Sequence, residues 1–439
     1  MNAKQSSKLR QALKEIASDI ARHLDAPLHL KLWDGTSYPC STVPSETQNS
    51  KLAIVIADPG AVPSLLRRPT LDRVIRLYAH GKIDFEGGTL IDIGAVLSDK
   101  NTRKRLKNIS KLKLLKTLLP FMTMPGADVS ATRSFDGDET GGNRKKRNER
   151  DNIGFHYDVS NAFYELFLDD SMVYTCAYFS DWSHDLAKAQ FDKLDITCRK
   201  LRLKPGEKML DIGCGWGALI CHAAKHYGVD AHGVTLSQEQ YDYSLERIER
   251  EGLSDKVSVE LIDYRDVTGK FDKISSIGMY EAIGVAAIPE YMSKVRSLLK
   301  PDGLFLNHGI TRRAKRKATR FAARPEQRAL VRYIFPGGEL DDIGHTLQEL
   351  ERAGFEVHDV EGWREHYALT TKMWCERLTA RRAEAIGIVG DQTYRIWVAY
   401  LAGCSLAFSR GSARIYQTLS GHNAKGPASV PPSRADLYQ

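Results

Sequence analysis

The chain has no CxxC pair, no apolar run long enough to span a bilayer, and no apolar core in its opening residues, MNAKQSSKLR. Each absence sets aside a class of protein. Seven cysteines, odd in number and scattered, argue against a disulfide framework or a zinc site, and for a reducing cytoplasm. Without a long apolar run there is no sequence signal for a membrane-spanning helix. Without an apolar core the first residues do not read as a secretory leader. What remains is a chain of 439 residues, 42% hydrophobic, which is enough for two globular domains. Its net charge of +8 attracts anions without separating nucleic acid from anionic lipid.

The most informative stretch is MLDIGCGWG at 209–217, an apolar strand entering a glycine-rich turn, followed by the apolar-periodic helix ALICHAAKHYG. Asp211 closes the strand, and Gly213, Gly215 and Gly217 let bare backbone approach a ligand. The spacing is GxGxG, not the dinucleotide GxGxxG, and no phosphate-binding lysine follows it. The turn resembles motif I of class I S-adenosylmethionine (SAM) methyltransferases.

The first 120 residues read as a small α+β domain with a connector helix. Strands are expected at 29–40, 51–57 and 82–88, and a helix at 69–81. The stretch 101–120 interleaves Arg103, Lys104, Lys107, Lys111 and Lys113 with an apolar stripe. It suits either a solvated connector or a membrane-surface helix. Residues 121–150, with the charge run Arg144 to Arg147, read as a flexible linker. From 151 to 420 apolar strand-length runs alternate with helical stretches, which predicts an α/β fold with a doubly wound, mostly parallel sheet. Residues 421–439 read as a disordered tail.

In such a sheet the ligand lies beyond the carboxyl ends of the strands. Thr235, Ser237 and Gln240 follow the second strand of this domain, Asp263 to Asp266 the third and Glu281 the fourth, and His308 ends the fifth. Each alone fits a cap or surface side chain, but their convergence on one edge predicts a pocket. The second strand ends in Val234-Thr235, where an acidic residue for the ribose is more usual. Before the glycine turn, residues 152–179 are dense in aromatics, among them Phe155, Tyr157, Phe163, Tyr164, Phe167 and Tyr174. They suit either a helical pair packed on the sheet or an apolar lid over the ligand.

YTCAYF, LDIGCGWG, GVTLSQEQ, DYRD, GMYEAIG, LNHGI, YIFPGGEL and HYALTTKMW occur in this order. Together they resemble the cyclopropane-fatty-acyl-phospholipid synthases and their mycolic acid relatives over about 150–420. The first hundred residues are similar to that family's small, lipid-carrier-like N-terminal domain. The resemblance implies transfer of a methylene from SAM to a cis double bond of an unsaturated phospholipid acyl chain. It implies a bound bicarbonate as base, held by Cys176 through its main chain, Glu281, His308, Ile310 through its main chain, and Tyr367. It also implies SAM contacts from Tyr174, Thr175, Gly213, Gly215, Thr235, Gln240, Tyr264 and Arg265, with Asp211 and Gly217 completing the turn. Thr175 stands where the family usually has Ser, and Ala282 where many members have His.

No metal is expected. The expected partner is unsaturated phospholipid in an anionic membrane surface. The basic stretches 101–116 and 311–324 would hold the enzyme reversibly on the inner face of the cell membrane. A homodimer is left open. Nucleic acid is not expected, because the aromatics follow apolar helical periods and no RNA-binding module is recognisable. Three other readings stay open: a related lipid C-methyltransferase making a methyl-branched or furan-precursor chain, a small-molecule N-methyltransferase, and a non-catalytic lipid carrier.

Overall fold

Apolar strands and amphipathic helices alternate along the second half of the chain, and the result is a seven-stranded sheet between two helical layers. The computed structural model describes residues 3–24, 26–41, 51–98, 111–133, 159–314, 324–422 and 430–438. It divides into two units, 1–134 with 378–406, and 135–377 with 407–439.

The N-terminal unit carries the strands β1 (His29–Leu32), β2 (Ser37–Pro39), β3 (Ala53–Ile56) and β4 (Ile83–Glu86), in the order β2-β1-β3-β4. β1 and β3 are parallel, and the other pairs are antiparallel. The expected helix is present at Leu71–Ala79, started by Thr70, whose side chain accepts from the Arg73 N–H. The sequence reading missed a helix at Ala3–Leu24. Its Leu9, Ala12, Leu13 and Ile16 recur at helical spacing and pack on Leu32, Val62, Phe121 and Met124.

Two boundaries need correction. The expected flexible linker begins later than 121, because Phe121, Met124, Val129 and Thr132 are buried in the N-terminal unit. Residues 378–406, read from sequence as catalytic domain, belong to the N-terminal unit. Arg395 there pairs with Asp84 and Asp391, Ala399 packs with Leu77 and Tyr78, and Gln392 donates to the Ala131 carbonyl. The charge run Arg144 to Arg147, residues 101–110 of the basic helix, and Phe155 and Tyr157 lie outside the described residues.

The larger unit contains β5 (Lys208–Ile212), β6 (Asp230–Val234), β7 (Val257–Glu260), β8 (Phe271–Ile277), β9 (Leu299–Arg312), β10 (Phe355–Gly362) and β11 (Ala413–His422). Their order is β10-β11-β9-β8-β5-β6-β7. The pairs from β9 through β7 are parallel, and β11 runs antiparallel between β9 and β10. The α/β, mostly parallel expectation holds. β11 was not foreseen, since its Gln417, Thr418 and Ser420 dilute the apolar signal.

The strands are buried on both faces, as helices on both sides of a sheet require. On β5, Met209 packs into one layer, with Leu194, Cys198 and Ile220, and Leu210 into the other, with Ile274, Tyr291 and Phe305. Truncating such a fully buried leucine to alanine costs about 2–5 kcal/mol. The chain order reverses between β5 and β8, so a crevice opens at the carboxyl end of β5.

The expected disordered tail also needs correction. Leu437 is buried, Arg434 pairs with Asp359 at 2.6 Å, and Arg202 pairs with Asp436 at 3.0 Å.

Candidate active site

The turn after β5 sits at this reversal. Gly213, Gly215 and Gly217 have φ of 80°, 57° and 79°, the left-handed region that disfavours side chains. A Cβ on Gly213 would meet Met279, and one on Gly217 would meet Ser244, but one on Gly215 would meet nothing within 4 Å. Gly215 therefore faces open space, where a ligand can lie against the main chain. Thr235 and Gln240 form a buried pair at the end of β6, with the threonine hydroxyl 2.9 Å from Gln240 Oε1. Tyr264 and Arg265 lie on a short 3-10 turn after β7. Arg265 is partly exposed and bonded to Asp263 at 2.6 Å, and Tyr264 meets the Tyr291 ring edge-on at 5.3 Å.

Asp211 takes a different place from the rest of the expected cofactor set. It is buried in the sheet and accepts from the Ser275 hydroxyl at 2.6 Å, across its register partner on β8. Burial pushes its carboxyl up to about 6, against the pull of the Ser275 bond and of Lys193. Lys193 was missed by the sequence reading. It is buried, donates to the Thr175 hydroxyl at 3.0 Å, and is pushed down to about 8 by desolvation. The readable signal was its place on the buried stripe of Leu186–Leu201, with Ala189, Ile196 and Thr197. Tyr174 lies 5.2 Å from both Tyr164 and Trp374 by ring centroid, and Tyr164 lies 4.9 Å from Trp216 of the glycine turn. With Phe163 and Phe167 these rings make a buried aromatic wall. Among the described residues of 152–179, helix covers Asn161–Glu165, and residues 152–158 lie outside them.

The second group of expected residues gathers beyond β8 and around Trp363. His308 does not end its strand. β9 outruns β8, and the Gly278 N–H donates to the His308 carbonyl at 2.9 Å just where the parallel pairing stops. Glu281, in the short helix Tyr280–Ile283, accepts from the Ile310 N–H through Oε1. The Ile310 main chain, expected from the resemblance to serve the anion, thus has its N–H engaged by Glu281. Part of Glu281 reaches solvent, but its Oε2 is enclosed and has no partner among the described residues. Desolvation pushes this carboxyl up to about 7, opposed by the Ile310 bond.

The His308 ring meets Trp363 edge-on at 4.9 Å. Its Nε2 is likewise buried without a partner among the described residues, and burial holds the ring well below the usual histidine range. Cys176 Sγ lies 3.8 Å from the Trp363 carbonyl, which also accepts from the Tyr367 N–H at 3.1 Å. Burial drives the Cys176 thiol well above its ordinary value, so this sulfur is no nucleophile at neutral pH. The Tyr367 ring packs on Phe408 with centroids 4.6 Å apart and planes tilted by 32°. Trp363 thus brings Cys176, His308 and Tyr367 together, and Glu281 joins through Ile310. No group of metal-ligating side chains occurs among the described residues.

A family model described as mycolic acid cyclopropane synthetase matches residues 144–418. A probable fatty acid methyltransferase of Pseudomonas putida is 37% identical over 422 residues, covering 95% of this chain and 97% of that protein. The cyclopropane-fatty-acyl-phospholipid synthase of Escherichia coli is 37% identical over 264 residues, covering 60% of this chain and 66% of that one. The crystal structure of mycolic acid cyclopropane synthase CmaA1 complexed with SAH and CTAB superposes with a TM-score of 0.60 at 32% identity, over 63% of this chain and 99% of that one. Sequence, sheet order and glycine turn agree: this chain belongs to the mycolic acid cyclopropane synthetase family and is a SAM-dependent methyltransferase of the fatty-acid-modifying kind.

Proposed function

We propose that the protein converts a cis double bond of a phospholipid acyl chain into a cyclopropane ring, with bicarbonate bound beside Glu281 as the base. The observation that carries this reading is that two enclosed polar atoms of the expected base site, Glu281 Oε2 and His308 Nε2, have no partner among the described residues. Buried polar atoms in native proteins are almost always satisfied, so two orphans among neighbouring residues call for a polar occupant. A small oxyanion with one hydroxyl fits. Its hydroxyl proton would be accepted by Glu281 and its oxygen would accept from His308, and Tyr367 and the Cys176 main chain would complete the cradle. When bound, SAM supplies an electrophilic methyl and bicarbonate supplies a base.

The residues of this chain do the rest. Gly215 leaves its backbone open to the cofactor. Tyr164, Phe167 and Tyr174 supply ring faces where an acyl chain would develop positive charge, and keep water from capturing it. Glu281 holds the hydroxyl of the anion and raises its basicity. The basic stretches 101–116 and 311–324 would dock the enzyme reversibly on anionic lipid at the inner membrane face. No described helix is long and apolar enough to cross a membrane.

A second reading is favoured by coverage. The Pseudomonas putida fatty acid methyltransferase matches nearly the whole chain, whereas the Escherichia coli cyclopropane synthase matches 60% of it. A methyl-branched product is therefore the alternative. Incubation with SAM and cis-unsaturated phospholipid vesicles, followed by mass and ring analysis, separates the two. A ring adds one carbon and two hydrogens and resists hydrogenation as an alkene. A methyl or methylene branch formed without a reductant adds the same mass but remains an alkene that takes up hydrogen, and that product would overturn the ring proposal.

A further inference from the structure

Two buried polar side chains that the base-site reading leaves unused lie behind His308. Lys200, near the end of the helix Leu186–Leu201, has a side chain only 1% exposed. It pairs with Glu361, donates to Gln417 Oε1 at 2.7 Å, and stands 5.1 Å from the centre of the Trp363 ring. Gln417, on β11, is the cross-strand partner of His308, and its Nε2 lies 3.1 Å from His308 Nδ1.

Donor chemistry fixes the direction of this line. An ammonium offers donors only, so the Gln417 atom facing Lys200 is the carbonyl oxygen. The amide nitrogen therefore faces His308. An amide NH2 donates and does not accept, so His308 Nδ1 must accept. The single proton of the neutral ring then belongs on Nε2, the enclosed atom without a partner among the described residues. Burial of Lys200 favours its neutral form, but the Glu361 carboxylate holds the proton on, and the Trp363 ring face also suits a cation.

We propose that Lys200 and Gln417 are positioning residues that lock His308 as its Nε2–H tautomer, so that the ring presents a neutral donor to an anion held beside Glu281. The inference rests on the base-site reading above and adds to it the device that sets the histidine. The device is needed because the opposite tautomer would aim a lone pair at the anion and repel it. A charged ring would hold the anion but quench its basicity. A neutral Nε2–H binds the anion and leaves it a base. Free imidazole exchanges between tautomers easily. Here an exchange would require the Gln417 amide to turn its NH2 toward the Lys200 ammonium, donor against donor.

The test uses the full chain labelled with 15N-histidine. Long-range nitrogen–proton correlations, assigned by their loss in His308→Gln, should show His308 protonated at Nε2 and bare at Nδ1. A proton on Nδ1 in the wild type overturns the proposal whatever the activity. Gln417→Glu then keeps the Lys200 contact but places an acceptor against Nδ1. The proton should move to Nδ1, and the bicarbonate concentration for half-maximal turnover on unsaturated phosphatidylglycerol vesicles should rise about tenfold or more. The SAM dissociation constant should stay unchanged. Glu281→Gln, run in parallel, separates the two layers. If Glu281→Gln is impaired while Gln417→Glu keeps wild-type bicarbonate dependence, the base site stands and the relay falls. If Glu281→Gln turns over normally in bicarbonate-depleted buffer, the base-site reading fails and takes the role of the relay with it.

Discussion

Glu281→Gln should make the protein more stable and much less active. Burial lifts the Glu281 carboxyl from 4.5 to about 7 in the folded chain. At 1.36 kcal/mol per unit, keeping this group ionised above pH 7 costs roughly 3 kcal/mol of stability. The sign follows from proton binding. Between pH 4.5 and 7 the folded state holds this proton and the unfolded state does not. The contribution is thus complete below pH 4.5 and lost as pH rises through 7. Glutamine has the same shape, can still accept from the Ile310 N–H, and carries no charge. In bicarbonate-depleted buffer the variant should resist urea better than wild type by roughly 3 kcal/mol at pH 8, shrinking to about 1 kcal/mol at pH 5. Turnover should fall about 10²–10⁴-fold, the usual range for a proton-transfer contribution, while calorimetry finds SAM affinity unchanged. A stability gain equal at both pH values would refute the buried-carboxyl argument. Wild-type turnover without bicarbonate would refute the base site.

Gly215→Val imposes a branched side chain on a φ of 57°, a strain of about 1–2 kcal/mol, with no protein atom in the way. The far-UV spectrum should stay folded while SAM binding is lost by calorimetry, and unchanged affinity would sink the cofactor assignment. Lys193→Met removes the cation that holds Asp211 down, so the Asp211 titration followed by carboxyl 13C shifts should move above its wild-type midpoint of about 6. An unmoved midpoint would show that the two groups do not communicate. Vesicle pelleting should fall steeply with salt, since screening limits exposed charges to about 8 Å at physiological ionic strength. Charge reversal of Arg312, Arg313, Lys315, Arg316 and Lys317 should weaken it further at unchanged SAM affinity, and salt-independent pelleting would exclude electrostatic docking.

What could be read from the sequence was whatever local pattern encodes. Apolar runs gave β5 to β10, and polar residues just after strands gave Thr235, Tyr264 and Glu281. The rest depended on contacts far apart in sequence. Lys193, Lys200 and Gln417 look like surface residues by type, and only their place on a buried stripe or inside a sheet says otherwise. β11 reads as polar because its interior position is supplied by β9 and β10 on either side. The segment 430–438 has two apolar anchors, Val430 and Leu437, and its ion-pair partners lie at Arg202 and Asp359, far back along the chain.

The return of residues 378–406 to the N-terminal unit bears on modularity. The chain leaves the catalytic unit after Arg377, and comes back only at Ala407 to lay down β11. The two units are therefore interleaved rather than strung end to end, and no single cut separates them. Deleting the first 134 residues would take Asp84 from Arg395, leaving it Asp391 alone, and would remove the Leu77 and Tyr78 cluster on which Ala399 packs. A nascent chain stopped short of Ala413 would meanwhile present β9 and β10 as unpaired edges, which invite aggregation. Recombination with other methyltransferases of this fold is thus best attempted by exchanging loops, because a swap of the N-terminal unit would have to exchange a helix from the other end of the gene as well.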